Sequence, residues 1–246
     1  MLKFSMSKIH VIIPAAGSGS RMSQVTPKQF SSFHGKTLIE WVDFIFSNVA
    51  VVDTISIAFS SDEKNNIENS NYTFSHKTKI YYSGRDSRSE TVLKTLKSIE
   101  SFASDDDWIM VHDSARVGIT ESFINSFIRA VSKDSVGGIV ALPSVDTIKR
   151  VDQSHKIIKT ENRDTLWLAQ TPQMFKYKQL IEALNNFPGT PTDEAEAIEA
   201  IGLKPMVFEG LTTNFKITYP EDLVNMSQIF STIIQGNTNG ESRPRI

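Results

Sequence analysis

The residue types best suited to chemistry lie in one stretch, Pro14-Ala15-Ala16-Gly17-Ser18-Gly19-Ser20-Arg21-Met22, which runs on to Pro27-Lys28-Gln29. It follows the apolar run Val11-Ile12-Ile13, a pattern that predicts a buried strand. Gly17 and Gly19 lack a Cβ and allow positive φ and a close approach of backbone to ligand. Ala15, Ala16 and Ser18 are small enough to leave backbone N–H groups accessible. A loop of this kind after a first strand cradles phosphate through its amides. Arg21 and Lys28 add cations to the same loop. Cations beside an amide nest suit a triphosphate, whose charge must be neutralised before anything can attack it. A tight strand-to-helix turn with surface cations is the alternative. No Gly-Lys-Ser/Thr closes the stretch, so it is not a Walker A loop. Arg21-Met22 stands where a dinucleotide fingerprint needs its third glycine.

Two further positions carry candidate chemistry. The apolar run Asp107-Trp108-Ile109-Met110-Val111 predicts a strand ending in His112-Asp113-Ser114-Ala115-Arg116. A carboxylate at the end of a parallel strand sits where α/β folds bind ligands. Asp113 could ligate Mg²⁺, a hard cation, or cap the following turn, and spacing leaves both open. His112 reads as a packed strand-end residue. In Asn214-Phe215-Lys216-Ile217-Thr218, strand alternation would turn Lys216 away from Phe215 and Ile217, toward solvent or a cleft.

Bulk properties bound the setting. With 246 residues, 39% hydrophobic and 22% charged, the chain suffices for one sizeable α/β domain. A net charge of −2 argues against general nucleic-acid binding, so local basic residues must hold any phosphate. Cysteine is absent, which excludes disulfides, thiolate catalysis and Cys-based zinc, and fits a reducing cytoplasm. No apolar run approaches membrane-spanning length, and Met1–Ser7 reads as too short and polar for a signal peptide.

The elements that must position these residues alternate. After the loop, Leu38, Trp41, Val42, Ile45 and Phe46 recur at helical spacing, with Trp41 in the core. Strands are predicted at 55–59, 80–82, 107–111 and 138–142. Helices are predicted through Val92–Leu96, through Phe123–Val131 behind a Thr120 cap, and through Leu180–Leu184. Alternation of this kind implies a mostly parallel sheet covered on both faces. The rhythm breaks at residues 147–160, where two polar runs flank Asp152-Gln153-Ser154-His155 and predict a hairpin. Such a hairpin is marginal alone and should lean on something, such as a second subunit. A late strand is predicted at 205–208. Thr218-Tyr219-Pro220-Glu221 reads as a capping box opening a final helix. Residues 236–246 lack periodicity and read as a mobile tail.

The order small-small-Gly-x-Gly-x-Arg-Met, then Thr26-Pro27-Lys28-Gln29-Phe30, resembles the signature of the 2-C-methyl-D-erythritol 4-phosphate cytidylyltransferase family. The similarity spans about residues 9–230 and includes His112-Asp113-Ser114-Ala115-Arg116, Asp146-Thr147-Ile148-Lys149, Gln170-Thr171-Pro172-Gln173, Thr192-Asp193-Glu194-Ala195 and Asn214–Thr218. Departures are Arg85 for a second glycine, Ser114 for Ala and Val117 for Pro. The resemblance implies a Rossmann-like α/β nucleotidyltransferase fold at about 8–235, with a protruding β-arm at about 144–169 that interlocks two subunits. It implies transfer of CMP from CTP to a polyol phosphate, with Mg²⁺ as cofactor and a cytoplasmic homodimer as the working form.

For the site, the resemblance implies that Pro14, Ala15, Ala16, Gly17, Gly19, Gly84, Arg88, Thr91 and Ser114 hold CTP. Arg21 and Lys28 would stabilise the transition state and leaving pyrophosphate. Arg163, Lys216, Thr147, Thr192 and Arg116 would hold the acceptor, with Thr147 and Arg163 coming from the partner subunit, and Asp113 would lie in or near the metal shell. Without the resemblance, Thr147 and Arg163 read as a solvated hairpin face, and Thr192, Asp193 and Glu194 as a helix start. Ribitol-5-phosphate cytidylyltransferase, which shares loop and chemistry, is the nearest alternative. A non-catalytic nucleotide-binding protein on the same fold is the alternative of another class.

Overall fold

The computed structural model describes residues 7–17 and 27–239, and side chains only as far as 233 within the last helix. Arg21 and Gly19, and with them half of the glycine-rich loop, lie outside the described residues.

The chain begins with β1 (Ile9–Pro14) and, after the loop, a single 3-10 turn at Lys28–Phe30. A small hairpin follows, β2 (Ser32–Phe33) and β3 (Lys36–Thr37), then α1 (Leu38–Ser47). The alternation continues with β4 (Thr54–Ala58), α2 (Lys64–Glu68), β5 (Thr78–Tyr81), α3 (Arg88–Ile99), β6 (Trp108–Val111), α4 (Glu121–Val131) and β7 (Gly137–Pro143). The hairpin of β8 (Lys149–Val151) and β9 (Ile157–Thr160) forms a separate two-stranded sheet, as the polar runs at 147–160 predict. The chain returns through β10 (Trp167–Lys176), then α5 (Tyr177–Asn186), α6 (Glu194–Ala200), β11 (Met206–Glu209) and α7 (Pro220–Asn239).

The main sheet has the order β11-β7-β10-β6-β1-β4-β5. β10 alone runs antiparallel to its neighbours, β6 and β7, so the sheet is mostly parallel. Strand alternation sorts side chains to two cores. Val11, Ile13, Trp108 and Met110 join the cluster under α1, α4 and α7, while Ile12, Ile109 and Val111 join the one under α3, α5 and α6. β4 pairs on one side of β1 and β6 on the other, so the chain reverses direction across the sheet beside β1. A ligand crevice is expected at the carboxyl ends of the strands there.

Several local expectations change. Lys216 is not on a strand. Thr212–Asn214 form a 3-10 turn and the chain then runs irregularly, tied to the β6 loop by the Ile217 N–H donating to Ala115 O (2.9 Å). The capping box at Thr218 does not form. Asp222 accepts the Thr218 and Tyr219 amides instead (both 2.8 Å), because the helix starts at Pro220, one residue later than the box requires, which makes Asp222 the third helical residue. The helix α7 continues to Asn239, four residues into the segment read as a tail, because backbone hydrogen bonding persists past the last apolar position. The β2–β3 hairpin was not signalled by hydrophobic periodicity. Its turn, His34-Gly35, takes positive φ at both residues (46° and 81°), and its Thr37 caps α1 in a capping box with Glu40.

Gly118 shows how tightly the segment carrying Lys216 is seated. A Cβ there would lie 1.8 Å from Thr213 O, and Thr213 Oγ1 donates to Gly118 O (2.8 Å). A Gly118→Ala substitution should therefore cost about 2–3 kcal/mol through a forced backbone shift. For a chain of this length that lowers Tm by roughly 5–10 °C in thermal unfolding followed by circular dichroism. An unchanged Tm would show that the two segments are not locked together.

Candidate active site

A cleft of about 670 Å³ opens at the switch point. Pro14, Ala16 and Gly17 form one wall, Gly84, Arg88 and Thr91 a second, Asp113 and Ser114 the end of β6, and Lys28 and Lys216 the rim opposite. These residues come from the ends of β1, β5 and β6, the start of α3 and the irregular segment before α7, so the topology brings them together. Gly84 lets the walls meet, since a Cβ there would sit 2.6 Å from the Ala16 Cβ and 2.7 Å from Phe59 O.

The described half of the loop is strapped from below. Buried Gln29 donates through Nε2 to Ala15 O (2.8 Å) and Gly17 O (3.2 Å). Ala15 itself is buried and its N–H donates to Ala58 O, so it backs the loop, and its amide is not available to the cleft. Gly17 is exposed and takes no left-handed backbone conformation. The ring of Phe30 stacks between Phe59 and Tyr72, which fixes the 3-10 turn bearing Lys28. Lys28 Nζ donates to Ile217 O (3.2 Å), next to Lys216.

The electrostatic centre is Asp113, whose side chain is 9% exposed. Its Oδ1 accepts from Arg88 Nε (2.8 Å), and its Oδ2 lies 2.8 Å from Lys216 Nζ and 3.6 Å from Arg116 Nε. Burial would raise its pKa, but Arg88, Lys216 and Arg116 hold it well below the usual carboxylate range. Arg88 divides its guanidinium between carboxylates, with Nη1 and Nη2 donating to Glu194 at 2.6 and 3.0 Å. Glu194 is fully buried, and burial pushes its carboxyl up while Arg88 pulls it back. Sequence reasoning explained Glu194 as part of a helix start. The structure gives that role to Asp193, whose side chain accepts from Glu196 N, and turns Glu194 inward. A residue of this kind has no local signal, because its partner lies 106 positions away.

Second-rank contacts complete the frame. Gln173 donates to Asp193 Oδ2 (2.9 Å) and accepts from Ala195 N (3.0 Å), anchoring the start of α6. Asn214 Nδ2 donates to Gln170 Oε1 and Thr171 O, and Asn214 O accepts from Arg116 Nη1 (2.7 Å). Thr91 accepts the Arg85 N–H and donates to Ser87 O, while Ser87 caps α3.

Other expected site residues lie elsewhere. Thr147 and Arg163 are exposed on and beside the arm, where the Arg163 guanidinium donates to Val145 O, and neither lines the cleft of its own chain. Thr192 is exposed and donates to Glu196 through both N and Oγ1. Arg116 reaches the cleft only through Asp113.

His112 is a packed residue, as expected. Its Nε2–H donates to Arg116 O (2.8 Å), which leaves Nδ1 to accept from Thr171 Oγ1 (3.1 Å), and Thr171 Oγ1 accepts from Asp113 N (3.0 Å). Burial pushes its pKa from 6.5 down to about 4. The unfolded chain takes up a proton near pH 6.5 and the folded chain only near 4, so this contribution is complete above about 6.5 and fades as pH falls toward 4. The loss is on the order of 3 kcal/mol. Urea unfolding at pH 7.5 and 4.5 should show it, and His112→Gln, which keeps a donor for Arg116 O, should flatten the difference. Parallel pH dependences in both proteins would contradict neutral burial of His112.

Comparison with known proteins covers the same region. A family model described as IspD, 2-C-methyl-D-erythritol 4-phosphate cytidylyltransferase, matches residues 9–232. The 2-C-methyl-D-erythritol 4-phosphate cytidylyltransferase of Nitrosomonas eutropha is 40% identical over 220 residues, covering 89% of this chain and 94% of that one. The Nitrosospira multiformis protein of the same name is 38% identical over 221 residues, covering 89% and 95%. The crystal structure of the Francisella tularensis 2-C-methyl-D-erythritol 4-phosphate cytidylyltransferase has a TM-score of 0.78 at 33% identity, covering 90% of this chain and 99% of that one. Matched from β1 into the last helix, and sharing one α/β nucleotidyltransferase fold with its relatives, the chain belongs to the 2-C-methyl-D-erythritol 4-phosphate cytidylyltransferase family.

Proposed function

We propose that this chain transfers CMP from CTP to 2-C-methyl-D-erythritol 4-phosphate, giving 4-diphosphocytidyl-2-C-methyl-D-erythritol and pyrophosphate. The observation that carries this reading is the convergence of Lys28 and Lys216 on one switch-point cleft walled on one side by Pro14, Ala16 and Gly17, in a chain of this family. An acceptor phosphate oxygen attacks the α-phosphorus of CTP in line. The new O–P bond forms as the bond to the β-phosphate oxygen breaks, and pyrophosphate leaves. The nucleophile is already an anion, so no strong general base is required. The barrier lies in bringing anions together and stabilising charge as it moves to the leaving group.

Ala16 and Gly17 are assigned to the triphosphate, Lys28 and Arg21 to the transition state and leaving group, and Gly84, Arg88, Thr91 and Ser114 to the nucleoside side. Lys216 is assigned to the acceptor phosphate, with Arg116 supporting it through Asp113 and with Thr192 as a further acceptor contact. Lys216 keeps its contact with Asp113 and turns its remaining N–H donors to the substrate phosphate.

Asp113 does not fit the expected Mg²⁺ role as it stands, because both its oxygens face cations. Among the described residues there is no group of three or more His, Cys, Asp or Glu that could hold a metal ion. Asp113 acts in this reading as the anchor of the cations.

A homodimer through the arm completes the reading. Ile157, Ile158 and Leu168 are 64%, 61% and 58% exposed there, an apolar surface that a second copy would cover. Arg163 and Thr147 then reach the partner's acceptor site. No helix among the described residues is long and apolar enough to cross a membrane, and a cytoplasmic setting accords with the cysteine-free composition.

The primary test is pyrophosphate release from CTP with Mg²⁺ present, offering 2-C-methyl-D-erythritol 4-phosphate and ribitol 5-phosphate in parallel. Turnover of the first alone is expected, and turnover of the second alone would move the protein to polyol-polymer synthesis. Lys28→Ala should lower kcat by roughly 10²-fold, as loss of a preorganised charge contact does. A folded Lys28→Ala protein with near-normal kcat would remove Lys28 from the mechanism. Arg163→Ala should raise KM for the acceptor and leave CTP binding nearly unchanged, whereas equal loss for both ligands would contradict the assignment to the acceptor.

A further inference from the structure

The buried charge cluster contains one member that neither substrate would touch. Glu194 lies behind Arg88, fully buried, and does not line the cleft. Its oxygens take the end-on fork of the Arg88 guanidinium, one N–H from each terminal nitrogen, and hold the group so that it meets Asp113 through Nε. That single bond takes Oδ1, and Oδ2 is left to Lys216 at 2.8 Å.

A guanidinium freed at its fork prefers a bidentate grip on a carboxylate. Without Glu194, the nearest carboxylate to Arg88 is Asp113. A two-point grip there would draw on both Asp113 oxygens and displace Lys216. We propose that Glu194 is a positioning residue for the acceptor half of the reaction: by engaging the fork of Arg88 it limits that residue to one oxygen of Asp113 and so keeps Lys216 in place. The inference rests on the CMP-transfer reading, in which Lys216 holds the acceptor phosphate. The helix bearing Glu194 has its own anchor in Gln173, so an isosteric change at Glu194 leaves α6 seated.

The experiment is a double-mutant cycle between Glu194→Gln and Lys216→Met, read as kcat/KM for 2-C-methyl-D-erythritol 4-phosphate, with CTP affinity measured separately by calorimetry. Glu194→Gln accepts from only one guanidinium nitrogen and should lower acceptor kcat/KM at least tenfold, mostly through KM, with CTP affinity within twofold. In the Lys216→Met background the same change should cost less than twofold, because its route of action is already gone. An equal cost in both backgrounds, a matching loss of CTP affinity, or wild-type kinetics in Glu194→Gln would each overturn the proposal. If Glu194→Gln does not fold, Glu194→Asp, too short to reach both nitrogens, takes its place under the same criteria. If the wild-type protein turns over no polyol phosphate, the CMP-transfer reading fails, and crystal structures of the wild-type and Glu194→Gln proteins then decide the Glu194 proposal. Loss of the Lys216–Asp113 contact in the variant supports it, and an unaltered contact overturns it.

Discussion

The site depends on a buried carboxylate, Asp113, being surrounded by cations. A carboxylate removed from water must be paired and hydrogen-bonded, or it takes up a proton. Asp113 meets that condition from three directions, through Arg88 on α3, Arg116 on its own loop and Lys216 on the segment before α7. The ion pairs therefore fix the relative placement of three pieces of chain distant in sequence. They also keep Arg88 and Lys216 together at a cleft in a chain with a net charge of −2. Removing one partner from such a cluster costs more than the pair contributes, since the remaining charge is buried without compensation.

The sheet places this cluster where it can act. β1 and β6 are parallel neighbours, and both end at the cleft, so the loop after Pro14 and the carboxylate at Asp113 face one another without any long-range search. The antiparallel β10 on the far side of β6 supplies Thr171 to the Asp113 amide and Gln173 to the start of α6. One strand thus connects the arm at its exposed beginning, the site at its middle and the core at its end, where Met174 and Phe175 are fully buried.

Most of the architecture was legible because it follows from periodicity. Apolar runs at 11–13, 55–59, 107–111 and 138–142 are strands, and the 3.6-residue patterns at 38–46 and 123–131 are helices, as local physics requires. The polar hairpin at 147–160 was legible from its turn. What escaped has a common cause. The segment at 214–218 keeps the alternation of a strand, with Ile217 inside and Lys216 toward the cleft, but takes its conformation from contacts with Ala115 and Gly118 and not from a ladder. Glu194 looked like a helix-start carboxylate, and only tertiary structure distinguishes it from Asp193 beside it. The wording of the motifs located Lys28, Asp113 and Lys216 in one site, but no local pattern states that Ala15 spends its amide on β4.

The arm raises a last physical point. A polar hairpin with an exposed apolar row is not stable by its own contacts, and Arg150 and Lys159 are satisfied only by the exposed ion pairs they make with Glu161, which contribute little. Yet the row is not random. Trp167 and Leu168 open β10 and pair with Pro143 and Leu142 of β7, so this end of the segment is held by the main sheet while β8 and β9 form a sheet of their own. In the homodimer proposed above, a surface held at one end by the sheet and apolar at the other would gain cover on both copies at once, and the interface would close on itself. Arg163 is hydrogen-bonded to Val145 and does not line the cleft of its own chain. In the proposed dimer that leaves it for the partner's acceptor site.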